Sequence, residues 1–300
     1  MPIRARIALL VACFLWAISF IATKVALEDT PPLVVVSLRL LISALCFLPW
    51  LARISHQLSA ASGGIWRQGK GVLIRLFGLS LLGTGLHYGL QTAGLQYTTA
   101  SNASLYAVTA PITILLLSAV FLGERITPLK ALGVAIAVIG VLVVMGLETI
   151  TRLELDAHVV GDLLVLVSIV MWGLFTVFGK RLTDELGALR VTAVVTLMGA
   201  LWMAPVGWLE MRATGFSLGE ISGQAWIAIA FLGIACSFLA TLLYFVALGL
   251  SESQKVGVYL YTIPPMTAAF AALFLGESIT AGLVIGSVLV ISGVALTERG

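Results

Sequence analysis

Charge is scarce in this chain. Of its 300 residues, 17 are Lys or Arg and 14 are Asp or Glu, so 10% are charged against 60% apolar, where an ordinary soluble domain carries about 25% charged residues. So small a polar share excludes a soluble domain and requires a membrane. Histidine is nearly missing too, and His56, His87 and His158 are scattered. With no HExxH, no GxSxG and no Asp or Glu grouped at ligand spacing, neither a metal site nor an activated nucleophile is indicated. No cofactor is expected. The absence of a P-loop and of any basic soluble segment removes ATP hydrolysis and nucleic-acid binding. The three cysteines, Cys13, Cys46 and Cys236, stand singly in apolar runs without a CxxC, so they read as small core residues rather than disulfide partners. The opening MPIRARIALLVACFLW lacks a convincing cleavage site and stays apolar to about Leu27, which reads as a retained first transmembrane helix.

Long apolar runs are what the chain does have. A helix needs about 20 apolar residues to cross a hydrocarbon core of about 30 Å, and inside that core the backbone must satisfy itself. The rule gives an all-α polytopic protein with ten spans, near residues 7–27, 32–52, 72–95, 100–121, 128–147, 160–180, 188–209, 225–248, 254–274 and 279–297. Short connections leave no room for a soluble domain, so function must reside in the helices. With a cytoplasmic N-terminus, thirteen Lys and Arg fall inside and three outside (Lys24, Arg152 and Arg212), with Arg39 uncounted within a span. That asymmetry predicts both termini in the cytoplasm. The longest inner loop, RISHQLSAASGGIWRQGKG, reads as a flexible connector resting on anionic headgroups.

The chain also repeats itself. FLGERIT at 121–127 returns as FLGESIT at 274–280, an offset of 153 that also pairs Tyr106 with Tyr259, Pro111 with Pro264, Gly133 with Gly286 and Gly140 with Gly293. Earlier residues match at an offset of 156: Trp16 with Trp172, Lys24 with Lys180 and Pro49 with Pro205. Two five-helix units follow, residues 1–150 and 157–300. Five is odd, so the second unit enters the membrane inverted, an architecture of secondary transporters with the substrate site between the halves. The one change in the repeated turn, Arg125 against Ser278, then puts the charge on the cytoplasmic side.

The paired LGE turns followed by glycine-spaced helices, the early Trp with a Lys eight residues later, and ten spans in two halves resemble the EamA-type drug/metabolite transporters. The resemblance covers essentially the whole chain. It implies a ten-helix exporter of a bacterial inner membrane; amino-acid exporters are the nearest analogy.

Intramembrane polar groups single out candidate pathway residues, because such groups face a bundle interior or a wet cavity. Thr84, His87, Tyr88, Gln91 and Thr92 form one face of the third span; Asn102, Tyr106 and Thr109 repeat the spacing on the fourth, Ser237, Thr241 and Tyr244 on the eighth, and Tyr259 and Thr262 on the ninth. Interhelical hydrogen bonding is the plainer role for each of them. His87 is either a titratable group or a neutral packer, since no Asp or Glu is expected in mid-helix. Trp16 and Trp172, too deep for an interfacial belt, either pack about the internal axis or line a pathway with the tyrosines. Arg39, whose counterpart is Val195, either satisfies a carbonyl or snorkels outward, or meets a substrate carboxylate. Lys24 and Lys180 either guard the two mouths or anchor helix ends. Gly85 and Gly89 form a GxxxG for close helix approach, and the fifth and tenth spans read as packing or dimer surface. Pro111 and Pro264 are expected inside their helices as kinks and hinges. Glu124 with Thr127, and Glu277 with Thr280, are expected to cap the helix that follows each turn.

The reading is a secondary transporter exporting small amphipathic metabolites, neutral or aromatic amino acids foremost, by alternating access. The alternative is an intramembrane enzyme acting on a lipid or hydrophobic substrate. The expected partners are a small-molecule substrate and the lipid bilayer, with no nucleic acid; a monomer suffices and a homodimer is compatible.

Overall fold

In lipid, an unpaired backbone amide has no water to turn to, so a chain this apolar is driven to helix. The computed structural model describes residues 1–61, 70–97, 106–145, 155–274 and 280–300. Among these the regular structure is entirely helical: α1 (Ile3–Leu27), α2 (Pro32–Ala61), α3 (Lys70–Tyr97), α4 (Ala110–Leu122), α5 (Pro128–Met145), α6 (Leu155–Leu186), α7 (Ala188–Thr214), α8 (Gly223–Leu250) and α10 (Ala281–Arg299). The ninth segment, α9, is broken into Ser253–Gly257, a 3₁₀ stretch Val258–Thr262 and Ile263–Phe274. Among the described residues, eight helices are long and apolar enough to cross a membrane. The two that fall short, α4 and α9, hold corresponding places in the two halves.

The halves interleave. α1 lies against α8 and, reciprocally, α6 against α3; α4 packs on α6 and α9 on α1; α2 meets α7, and α5 meets α10, each its own counterpart. The α5/α10 seam shows why glycine recurs. A Cβ on Gly140 would stand 2.8 Å from the Gly286 carbonyl oxygen and one on Gly286 2.5 Å from that of Gly140; Gly133 and Gly293 repeat the contact at 2.7 and 2.5 Å. No larger residue permits this approach, which gives a lipid-embedded pair its dispersion contact. The fifth and tenth helices thus pack on each other. On α3 the outcome differs from the GxxxG expectation. Gly85 makes room for the Trp202 ring and Gly83 for the Phe175 ring, while a Cβ on Gly89 would meet only Leu33 at 3.7 Å, so two glycines act as sockets for rings.

The two prolines also correct an expectation. Pro111 and Pro264 are each the second residue of a newly started helix, after the turn at Val108–Thr109 and after the 3₁₀ stretch. There proline's missing N–H is one that the first turn leaves unpaired anyway, so it restarts a helix instead of kinking one. The breaks lie just before the prolines.

The repeated turn resolves atom by atom. Gly123, at φ 69°, ends α4 in the left-handed region open to glycine. The Thr127 hydroxyl accepts the Lys130 N–H at 3.2 Å, and its counterpart Thr280 accepts the Leu283 N–H at 3.1 Å, so both hydroxyls cap as expected. Glu124 does not cap α5. Its carboxylate accepts the N–H groups of Ser253 (2.7 Å) and Gln254 (3.0 Å) and so caps α9, tying the first half to the second. Residues 277 and 278 lie outside the described residues.

Candidate functional site

The centre of the bundle is aromatic. Trp16 of α1 and Trp172 of α6 meet edge to face with centroids 5.2 Å apart, and Tyr244 of α8 lies 5.3 and 5.4 Å from them. His87 of α3 lies 4.9 Å from Trp172 and 5.2 Å from Tyr88, and the Arg39 guanidinium of α2 lies 4.2 Å over the Tyr88 ring. A continuous chain of rings therefore runs from the internal axis to a buried cation. The Tyr244 and Thr176 hydroxyls bond at 3.2 Å, and His87 Nδ1 donates to the Ser168 carbonyl at 2.8 Å.

Two local devices place these groups. The middle of α3 (Leu81–His87) and the middle of α8 (Leu232–Ala240) are π-helical, at matching positions of the two halves. A π segment widens the turn and re-aims side chains, and such segments collect at functional sites. Thr241 Oγ1 follows that spacing and donates to the carbonyl of Cys236, five residues back, at 3.1 Å. Between these segments lies a small space lined by Leu40, Gly83, Thr84, Tyr88, Phe175, Thr192, Val195, Thr196, Ser237 and Thr241. Only about 10 Å³ of it can hold the centre of a water, so this conformation is closed around roughly one water molecule.

Of the residues singled out from sequence, Thr84, Tyr88, Ser237 and Thr241 line this space, while Trp16, Arg39, His87, Trp172 and Tyr244 belong to the ring chain beside it. Gln91, partly exposed, lies one turn further along α3. The stripes on α4 and α9 do not join them. Tyr106 hydrogen-bonds Asp162 of α6, and the Tyr259 hydroxyl donates to Glu298 of α10, which also pairs with Arg6 at 2.5 Å. Each tyrosine meets a carboxylate instead, close to the break in its own segment. Asn102 lies outside the described residues. Lys24 is exposed at the end of α1. Lys180 pairs with Asp184 at 2.7 Å and lines an open recess of about 600 Å³ with Glu124, Arg181 and Glu252.

Sequence reasoning missed four groups. Thr192 and Thr196, at i and i+4 on α7, could have been found by the spacing that exposed the α3 stripe. Asp162, which the sequence reading did not single out, is buried near the start of α6. Lys130 is only 3% exposed, with Glu252 at 2.5 Å and the Arg125 carbonyl at 3.0 Å. At the other end, Asp29 accepts the Ser222 N–H at 3.1 Å and the Thr30 hydroxyl at 2.9 Å. Its bonds to Ser222 foremost hold its carboxyl below the ordinary value.

A multi-pass helical bundle with interleaved halves, interrupted helices at matching positions and a closed aromatic-hydroxyl centre is the build of a membrane transporter. The chain belongs to the EamA-like transporter family, whose model matches twice, at residues 3–146 and 159–299. An uncharacterized transporter from Archaeoglobus fulgidus is 28% identical over 98% of this chain and 97% of its own. A probable amino-acid metabolite efflux pump of Escherichia coli is 25% identical over 97% and 93%. A solved crystal structure shares the fold at TM-score 0.76 and 22% identity, covering 98% of this chain and 97% of its own.

Proposed function

We propose that this protein exports small amphipathic metabolites, neutral or aromatic amino acids and related compounds, across a bacterial inner membrane by alternating access between its halves. The observation that carries the reading is the pairing of interruptions: π segments in α3 and α8 flank one closed space, and breaks in α4 and α9 fall at matching places of the two halves. Paired interruptions are where two packings of a bundle can exchange. Both termini are cytoplasmic in this reading, so the 600 Å³ recess beside Lys180 is the inner mouth and Lys24 stands at the outer one. The breaks before Pro111 and Pro264 are the hinges. Rings interspersed with hydroxyls suit an amphipathic solute, whereas a phosphorylated sugar would call for several buried cations. The efflux relative favours the amino-acid class.

Purified protein in vesicles, offered a panel of labelled amino acids with and without a pH gradient, tests the reading. Saturable flux of at least one neutral or aromatic amino acid is expected. No flux of any solute, together with chemical change of a membrane substrate, would transfer the assignment to an intramembrane enzyme.

A further inference from the structure

Two cations among the described residues are more than nine-tenths buried, and they are provided for very differently. Lys130 has the Glu252 carboxylate at 2.5 Å. Arg39, 4% exposed, has no carboxylate within ion-pair distance among the described residues. Its Nε–H donates to Ser237 Oγ at 2.9 Å and its flat face rests on Tyr88. A guanidinium offers five N–H donors, so those on the two terminal nitrogens remain without a described partner. Burying such a charge in a membrane is costly and marks function when the fold does not demand it.

The fold does not demand it here. At the equivalent place in the other half stands Val195, and the counterpart of Ser237 is Thr84, whose hydroxyl donates to the Ser80 carbonyl of its own helix at 2.5 Å. The same helix packing is thus completed without a cation. Val195, Thr84, Tyr88 and Ser237 all line the central space, and Arg39, held by two of those lining residues, sets a charge beside one side of a shared chamber.

We propose that Arg39 is the carboxylate-binding residue of the central site, and that the solute is an amphipathic carboxylate, a zwitterionic amino acid above all. The fork of terminal N–H groups matches a carboxylate bidentately, and Ser237 with Tyr88 holds the guanidinium in advance of binding. A single cation suits a monoanion. The solute's ammonium and apolar parts then face the rings of Tyr88, His87 and Trp172, where a cation and a hydrophobe are both accepted. The proposal takes from the transport reading only the idea that a solute enters the centre; binding can be measured without flux.

The test is equilibrium binding to the detergent-purified full chain, followed by tryptophan fluorescence and thermal stabilisation. L-Phenylalanine and L-leucine are compared with their amides and their decarboxylated amines. The acids are expected to bind at least about tenfold more tightly than the amides. Arg39→Met should abolish that preference; Arg39→Lys, which keeps the charge without the fork, should leave about a third of it on a logarithmic scale. Ser237→Ala, which keeps the guanidinium and frees it, should weaken acid binding about threefold. Equal binding of acids and amides, or none of either, overturns the proposal. So does a set of variants that melt earlier yet keep the preference, since that is the signature of a structural tie between α2 and α8. Arg39-dependent binding with no flux in vesicles upholds the carboxylate site and sinks the transport reading instead.

Discussion

The two halves of this chain are alike where helices meet helices and unlike where side chains meet the central space. Trp16 touches its own counterpart Trp172, the π segments correspond, Gly133 and Gly140 meet Gly293 and Gly286 across the seam, and Thr127 and Thr280 cap alike. At the centre the likeness ends. Arg39 faces the role that Val195 has, and His87, Tyr88 and Gln91 correspond to Ala240, Thr241 and Tyr244. Shared features build the bundle; unshared ones make one side of its centre chemically distinct from the other. Even the tyrosine locks divide this way. Tyr259 uses Glu298 of α10 with Arg6, whereas Tyr106 uses Asp162, which stands at the position equivalent to Arg6, while Met145 replaces Glu298.

Equal damage from equivalent changes is the sharpest consequence of that division. Trp16→Ala and Trp172→Ala should each destabilise by about 3–5 kcal/mol, the range for large aromatic truncations in a core, and by amounts within about 1 kcal/mol of each other. Unfolding in mixed micelles measures both. A large loss at one and a negligible loss at the other would break the comparison at its strongest point.

The glycine seam comes next. Gly140→Leu and Gly286→Leu force a side chain into backbone at 2.8 and 2.5 Å, and overpacking of this kind costs about 1–3 kcal/mol. Gly78→Leu, with nothing within 4 Å of its Cβ position, should leave the midpoint unchanged in the same assay. A tolerated pair of seam variants would mean that α5 and α10 separate readily.

Much of this was legible beforehand. Helix count, duplication and the pairing of the two tryptophans follow from apolar length and spacing, because a membrane leaves the backbone few alternatives. The site was legible in part. A helical period exposes the α3 stripe, but it assumes 3.6 residues per turn, and the π segments depart from that where the site lies. The same assumption carried α4 and α9 through the centre as continuous helices. The pairing of Glu124 with α9 and of Lys130 with Glu252 spans more than 120 residues, and no local pattern announces a long-range contact.

His87→Ala probes the unshared wall more gently. Ala240 fills the equivalent place, so the backbone accepts alanine there, and the loss should be about 1 kcal/mol for the bond to the Ser168 carbonyl. Vesicle flux with and without a pH gradient then separates two roles. If the imidazole carries a coupled proton, the variant loses its response to the gradient; if it only packs, the ratio of the two rates stays that of the unaltered protein.

The smallest effects should come from a pair of ties at opposite ends of the bundle. Asp29 at the end of α1 accepts a bond from Ser222 at the start of α8, and its counterpart Glu185, at the end of α6, pairs with Arg75 near the start of α3 at 2.9 Å. The positions are equivalent but the chemistry is not. Glu185 and Arg75 are both nearly half exposed, so Arg75→Ala should cost at most about 1 kcal/mol and nothing in high salt. Asp29 works through a fixed backbone donor and responds to protons instead. Its carboxyl titrates below its unfolded value, so its small contribution is complete above pH of about 4, the ordinary aspartate range, and disappears as pH falls through the depressed value. Melting temperature against pH should therefore decline more steeply at the acid end in the unaltered protein than in Asp29→Asn, with no such divergence near neutrality. Parallel curves throughout would mean that the α1 to α8 tie is without consequence, and that the two ends of the bundle are held by their helices alone.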